Sequence, residues 1–203
     1  MLLLNGILMV ISSLADCFEG HVRNIGELVS SGEFDNYLIR PVKPSFLLIF
    51  TNMQIEAIFS FIFGVVLSVI SIINIPQLHD VGMILLLIVH IIIGVLLTSQ
   101  VIFALSCIPF WFIGIRGLWN IINYGYEYSH YPLDIFPNPI KFILKWIIPI
   151  GTVGPVTIFV FVNGNKIQCL KTIGVEILMC IIWLLIDVFI WEKGLKKYQS
   201  AGS

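Results

Sequence analysis

Four cysteines, four histidines and twelve acidic residues are the groups in this 203-residue sequence that could bind a metal or carry a proton. Cys17, Cys107, Cys169 and Cys180 have none of the paired spacings that zinc or redox chemistry uses. Three of them lie in or beside apolar stretches, where a free thiol packs as a small hydrophobe. His21, His79, His90 and His130 fall in unrelated segments and make no metal site. His90 stands inside an apolar run, which suits a hydrogen bond to a neighbouring helix. No H-E-x-x-H or G-x-S-x-G pattern provides a metal pair or a nucleophile elbow, and no G-x-x-x-x-G-K-S/T loop cradles a phosphate. We therefore expect no catalytic residue, no metal and no cofactor held by this chain.

The remaining chemistry lies in Glu56, Gln100, Glu176 and Asp187, polar groups set within apolar runs. An ionisable side chain in a bilayer is costly, and it usually faces a partner or a water-filled path. Glu176 and Asp187 are eleven residues apart, close to three helical turns. They share one helix face, roughly 16 Å apart along it. We read these four residues as the lining of a translocation path or a subunit seam. The competing reading places the acids near membrane ends, in reach of water.

The elements that must hold them follow from composition. Apolar residues make up 58% of the chain and charged residues only 11%, less than half the share of a soluble domain, and mean hydropathy is +1.00. Ala57–His79 and Val81–Ile115 carry no Asp, Glu, Lys or Arg, and about 20 apolar residues cross a bilayer. The chain is read as an all-α, polytopic membrane protein in one transmembrane domain. A soluble enzyme, a secreted disulfide scaffold and a disordered chain are excluded. Eleven basic and twelve acidic residues nearly cancel, so no basic field points to nucleic acid.

Along the chain, 1–13 reads as the end of a membrane helix whose beginning is missing, and 14–44 as a polar loop. Membrane helices are expected over 46–74, 81–110 and 170–191. Pro149, Gly151, Gly154 and Pro155 break 139–162, which reads as a hairpin re-entering from the outer face or, alternatively, as a full span. The stretch 111–139 is aromatic and amphipathic, and by hydropathy alone it reads as an interfacial segment, broken by Pro132, Pro137 and Pro139. Arg23, Arg40 and Lys43 in the large loop and Lys193, Lys196 and Lys197 in the tail put both in the cytoplasm, because the Asn74–Asp80 loop has no Lys or Arg.

The polar loop contains one patterned segment. Ser30 and Glu33 have capping-box spacing, which predicts a short helix starting there. Phe34, Tyr37 and Leu38 would share its apolar face, Arg40 would suit its C-terminal dipole, and Pro41 would stop it. Such a helix either rests on lipid headgroups or docks a soluble partner.

Gly32-x-Phe34-Asp35-x-x-Leu38-x-Arg40-Pro41, followed by Pro44 and an apolar helix, resembles the bacterial ATP-binding-cassette (ABC) permeases of the type-2 exporter class. Tyr131–Pro137 with Pro149 and Pro155 is similar to that family's proline-marked outer segment, and Trp191-x-x-Gly194-Leu195-Lys196-Lys197-Tyr198 to its C-terminal tail. The resemblance implies a six-helix bundle with the first helix absent, 111–131 as the fifth helix, and a re-entrant segment before the sixth. It implies that Gly32, Glu33, Phe34, Asp35, Tyr37, Leu38, Arg40 and Pro41 form the coupling helix to a separate ABC ATPase subunit, which would use ATP and Mg. One chain has too few helices to enclose a path, so a homodimer, or a heterodimer with a second permease, is expected in the bacterial plasma membrane, in contact with lipid. The alternative is a self-sufficient small carrier or accessory membrane protein with no ATPase partner.

Overall fold

The computed structural model describes residues 1–19, 21–51, 54–112, 135, 137–147 and 152–198. These residues form helices, with no strand among them. α1 (Leu2–Glu19) leads into the polar loop with α2 (Ile25–Ser31), the single turn α3 (Asp35–Leu38) and α4 (Pro44–Phe50). α5 (Ala57–Ile73), a 3₁₀ turn at Pro76–His79 and α6 (Val81–Ser106) follow, and a second 3₁₀ turn, Ile108–Phe110, extends α6. After α7 (Asn138–Phe142), two π-helical stretches, Ile143–Ile147 and Thr152–Val156, precede α8 (Thr157–Asn163) and α9 (Lys166–Lys197). Among the described residues, α1, α9 and Val81–Phe110 are long and apolar enough to cross a membrane. The 17 residues of α5 rise about 25 Å.

Several boundaries differ from the sequence reading. α1 runs on to Glu19, six residues past Ser13, because Arg23 pairs with both Asp16 and Glu19 and so supports a polar last turn. The expected helix over 46–74 is broken, with α4 ending at Phe50 and Thr51, Gln54 and Glu56 exposed. A continuous helix would carry these groups into apolar surroundings without partners. Glu56 is thus the exposed N-cap of α5 and not a group inside one continuous 46–74 helix. The 170–191 span starts earlier, at Lys166, because Asn165 and Gln168 form a reciprocal capping box with two 3.0 Å bonds. It runs to Lys197, where Lys196 and Lys197 oppose the helix dipole.

The predicted capping box at Ser30 and Glu33 does not form. Ser30 lies inside α2 and donates to the Glu27 carbonyl, and Gly32 (φ 78°) ends α2 in the left-handed region that glycine enters without strain. Residues 113–131 of the expected helix over 111–131, and most of Tyr131–Pro137, lie outside the described residues. For 139–162, the two limbs touch, with Thr152 Oγ1 donating to the Lys145 carbonyl at 2.6 Å. The link between them, 148–151, lies outside the described residues.

α6 and α9 run parallel. Lys166 pairs with Asp80, His90 with Glu176, the Cys180 thiol with the Ile93 carbonyl, and Phe103 with the Trp191 ring. Each pair is separated by 86 to 88 residues, so one register holds along the whole seam, and it sets Gln100 level with Asp187. α1 packs antiparallel on α5 through Gly6 and Gly64, where a Cβ on Gly64 would lie 2.9 Å from the Val10 backbone nitrogen. One core joins α1, α6, α8 and α9, and a second fills the polar-loop end.

Candidate functional site

The second core is built around Phe34. Gly32 turns the chain so that the Phe34 N–H donates back to the Leu28 carbonyl at 3.0 Å and the ring enters the bundle. The ring is fully buried. It meets Tyr198, Phe110 and Trp191 edge-on, at centroid distances of 5.1, 5.3 and 6.3 Å, and stacks with Tyr37 at 6.3 Å. Phe110 ends the α6 extension, and Trp191 and Tyr198 come from the end of α9. Tyr198 also donates its hydroxyl to Asp35 Oδ1 at 3.0 Å. Gly194 admits this packing, since a Cβ there would sit 2.6 Å from Phe110 Cδ2.

The shared apolar face predicted for Phe34, Tyr37 and Leu38 is therefore split. Phe34 anchors the turn from inside, Tyr37 is half-buried, and Glu33, Leu38, Ile39, Arg40 and Pro41 are exposed. The physical reason is length: α3 is one turn, too short to keep a ridge on one side. The Arg40 guanidinium lies 6.0 Å from the Tyr37 ring centroid. Partial burial pushes the Tyr37 phenol up from its ordinary value, and nearby Arg40 opposes the shift.

A second group of polar residues lies within the bundle. Glu176 is fully buried between His90 of α6, with Nδ1 2.9 Å from Oε2, and Thr157 of α8, with Oγ1 2.7 Å from Oε1. Asp187 is also buried, and its Oδ1 and the Gln100 Oε1 have no hydrogen-bond partner among the described residues. Glu56 joins none of these groups. Here the carboxylate lies between the hydroxyl and the imidazole, so the imidazole does not touch the hydroxyl and activates no nucleophile.

A family model described as ABC-2 family transporter protein matches residues 1–202. The chain belongs to that family. No curated protein and no solved structure matches it.

As an ABC-2 family member, the chain is an integral membrane protein and a permease component of an ABC transporter, a transport part and not a catalytic one. Membership also implies association with an ABC ATPase subunit. The sequence pattern presents Trp191, Gly194 and Tyr198 as a tail motif with no link to Phe34. It gives no sign of Phe110, nor of Thr157 as a partner of Glu176. His90 carries the one usable signal, an imidazole inside an apolar run.

Proposed function

We propose that this ABC-2 permease forms the membrane pathway of an ATP-driven exporter and takes its motion from an ABC ATPase bound at Glu33–Pro41. The observation that carries the reading is the Phe34 seat. Through it the exposed turn at Leu38–Pro41 is tied to the ends of both α6 and α9. A push on that turn moves two packed helices as a body, the usual form of such transitions. ATP and Mg would be used in the partner, with Leu38 and Arg40 receiving the load.

Charge supports one orientation in the membrane. Arg23, Arg40 and Lys43 lie at the same end of the bundle as Lys193, Lys196 and Lys197, which supports a cytoplasmic C-terminus in a bacterial plasma membrane. Exposed apolar residues on α5 (Phe59, Phe63, Val66) and α9 (Leu178, Leu185, Phe189) leave room for lipid and for a second permease, identical or related, to complete the path.

Co-purification with a co-expressed ABC ATPase tests the reading. Removing a contact at the centre of an interface costs about 2 kcal/mol or more, roughly thirtyfold in affinity. Leu38→Asp and Arg40→Glu should each reduce recovery of the ATPase while leaving membrane insertion intact. Equal recovery with both variants would move the ATPase contact away from this turn, and no recovery with the wild type would favour a self-sufficient carrier or accessory protein.

A further inference from the structure

The His90–Glu176–Thr157 group joins three helices, and its two arms are not equivalent. The Thr157 hydroxyl has one proton and two acceptors at 2.7 Å, Glu176 Oε1 across the interface and the Thr152 carbonyl in its own limb. Thr157 can leave Glu176 and keep a hydrogen bond. Among the described residues, the His90 arm has no such substitute. Its Nε2 is already buried without a partner among the described residues, so parting Nδ1 from Glu176 would leave the whole imidazole unpaired there. Leaving a buried polar ring and a carboxylate unpaired is the costly outcome.

The backbone on either side of α8 matches this asymmetry. Before it lies the π-helical stretch Thr152–Val156, in which Pro155 has no N–H to donate. After it, Gly164 makes a turn too tight for a side chain, since a Cβ there would lie 2.5 Å from the Val160 carbonyl oxygen. The limb Thr152–Asn163 thus has a weak ladder at one end and a glycine corner at the other. It packs against the Pro76–His79 turn, at the end of the bundle opposite Phe34.

We propose that His90, Glu176 and Thr157 form a catch with one fixed arm and one releasable arm. His90–Glu176 ties α6 to α9 throughout, and Thr157–Glu176 holds α8 closed until transport frees the limb. The purpose rests on the permease reading, because α6 and α9 carry both the Phe34 seat and the catch. The catch itself can be read without the ATPase, so failed ATPase recruitment leaves it standing.

The test is thiol accessibility of an Ile158→Cys reporter in the full chain in liposomes, with the native cysteines replaced and a water-soluble maleimide as probe. Ile158 is buried beside Thr157. Thr157→Val, which keeps the shape and removes the hydroxyl, should raise the labelling rate about tenfold, within what the loss of one hydrogen bond supports. Thr157→Ser should label like the parent. In a second variant that keeps Cys180, a disulfide to Ile93→Cys should form equally with and without the Thr157→Val substitution, reporting an unmoved α6–α9 seam. An unchanged rate in Thr157→Val, an equal rise in Thr157→Ser, or loss of that disulfide on Thr157→Val would each overturn the proposal.

Discussion

Phe34→Ala separates an internal anchor from a docking side chain. Truncating a fully buried phenylalanine costs about 3–5 kcal/mol, and edge-on aromatic pairs add about 0.5–1.5 kcal/mol each beyond area. Phe34 has three such partners, Phe110, Trp191 and Tyr198, so the upper part of that range is expected. An exposed side chain would change stability by no more than about 0.5 kcal/mol. The assay is denaturant unfolding of the detergent-solubilised protein followed by Trp191 emission, with the other four tryptophans replaced by phenylalanine. Phe34→Ala should lower the midpoint of the Trp191 transition sharply and move its emission to the red as water enters. Phe34→Leu should fall between that variant and wild type. A wild-type midpoint and emission in Phe34→Ala would refute the buried seat.

Three other outcomes are expected. Gly64→Val should lower the thermal midpoint by an amount corresponding to about 1–3 kcal/mol, because its Cβ meets Met9 and the Val10 backbone; an unchanged midpoint would contradict the close α1–α5 crossing. Gly194→Ala should perturb the Trp191 signal through Phe110 while leaving α1–α5 packing intact, which a disulfide between introduced cysteines on α1 and α5 would check. The Lys166 ammonium, followed by the Gly82 N–H, holds the Asp80 carboxyl below its ordinary value, so its contribution is present above about pH 4 and is lost as pH falls through the depressed value. Thermal midpoints of wild type and Asp80→Asn should therefore converge at low pH, and also in high salt, which screens this exposed pair.

What the sequence discloses depends on the range of the interaction involved. Apolar runs of bilayer length reveal helices directly, and the spacing of basic residues separates the two ends of the bundle. Gly32 and Pro41 bracket the turn at Asp35–Leu38, as local chemistry should. Helix ends differ from expectation where polar residues satisfy one another, as at Asn165 with Gln168 or Arg23 with Asp16 and Glu19, because hydropathy counts these groups as water-seeking. Glu56 departs for the opposite reason, since an apolar run does not show where the chain leaves the helix. The inward aim of Phe34 depends on rings 76 to 164 residues away, and Glu176 finds His90 at a separation of 86. Contacts at such separations leave no periodic trace in one sequence.

Site-specific photo-crosslinking from the exposed turn tests most directly whether the ATPase bears on it. A photoreactive phenylalanine analogue at Leu38 or Arg40, in cells that co-express the ABC ATPase, should capture the ATPase chain. The same group in place of Val81, at the opposite end of the bundle, should not. Capture from Val81 with none from Leu38 or Arg40 would contradict the account.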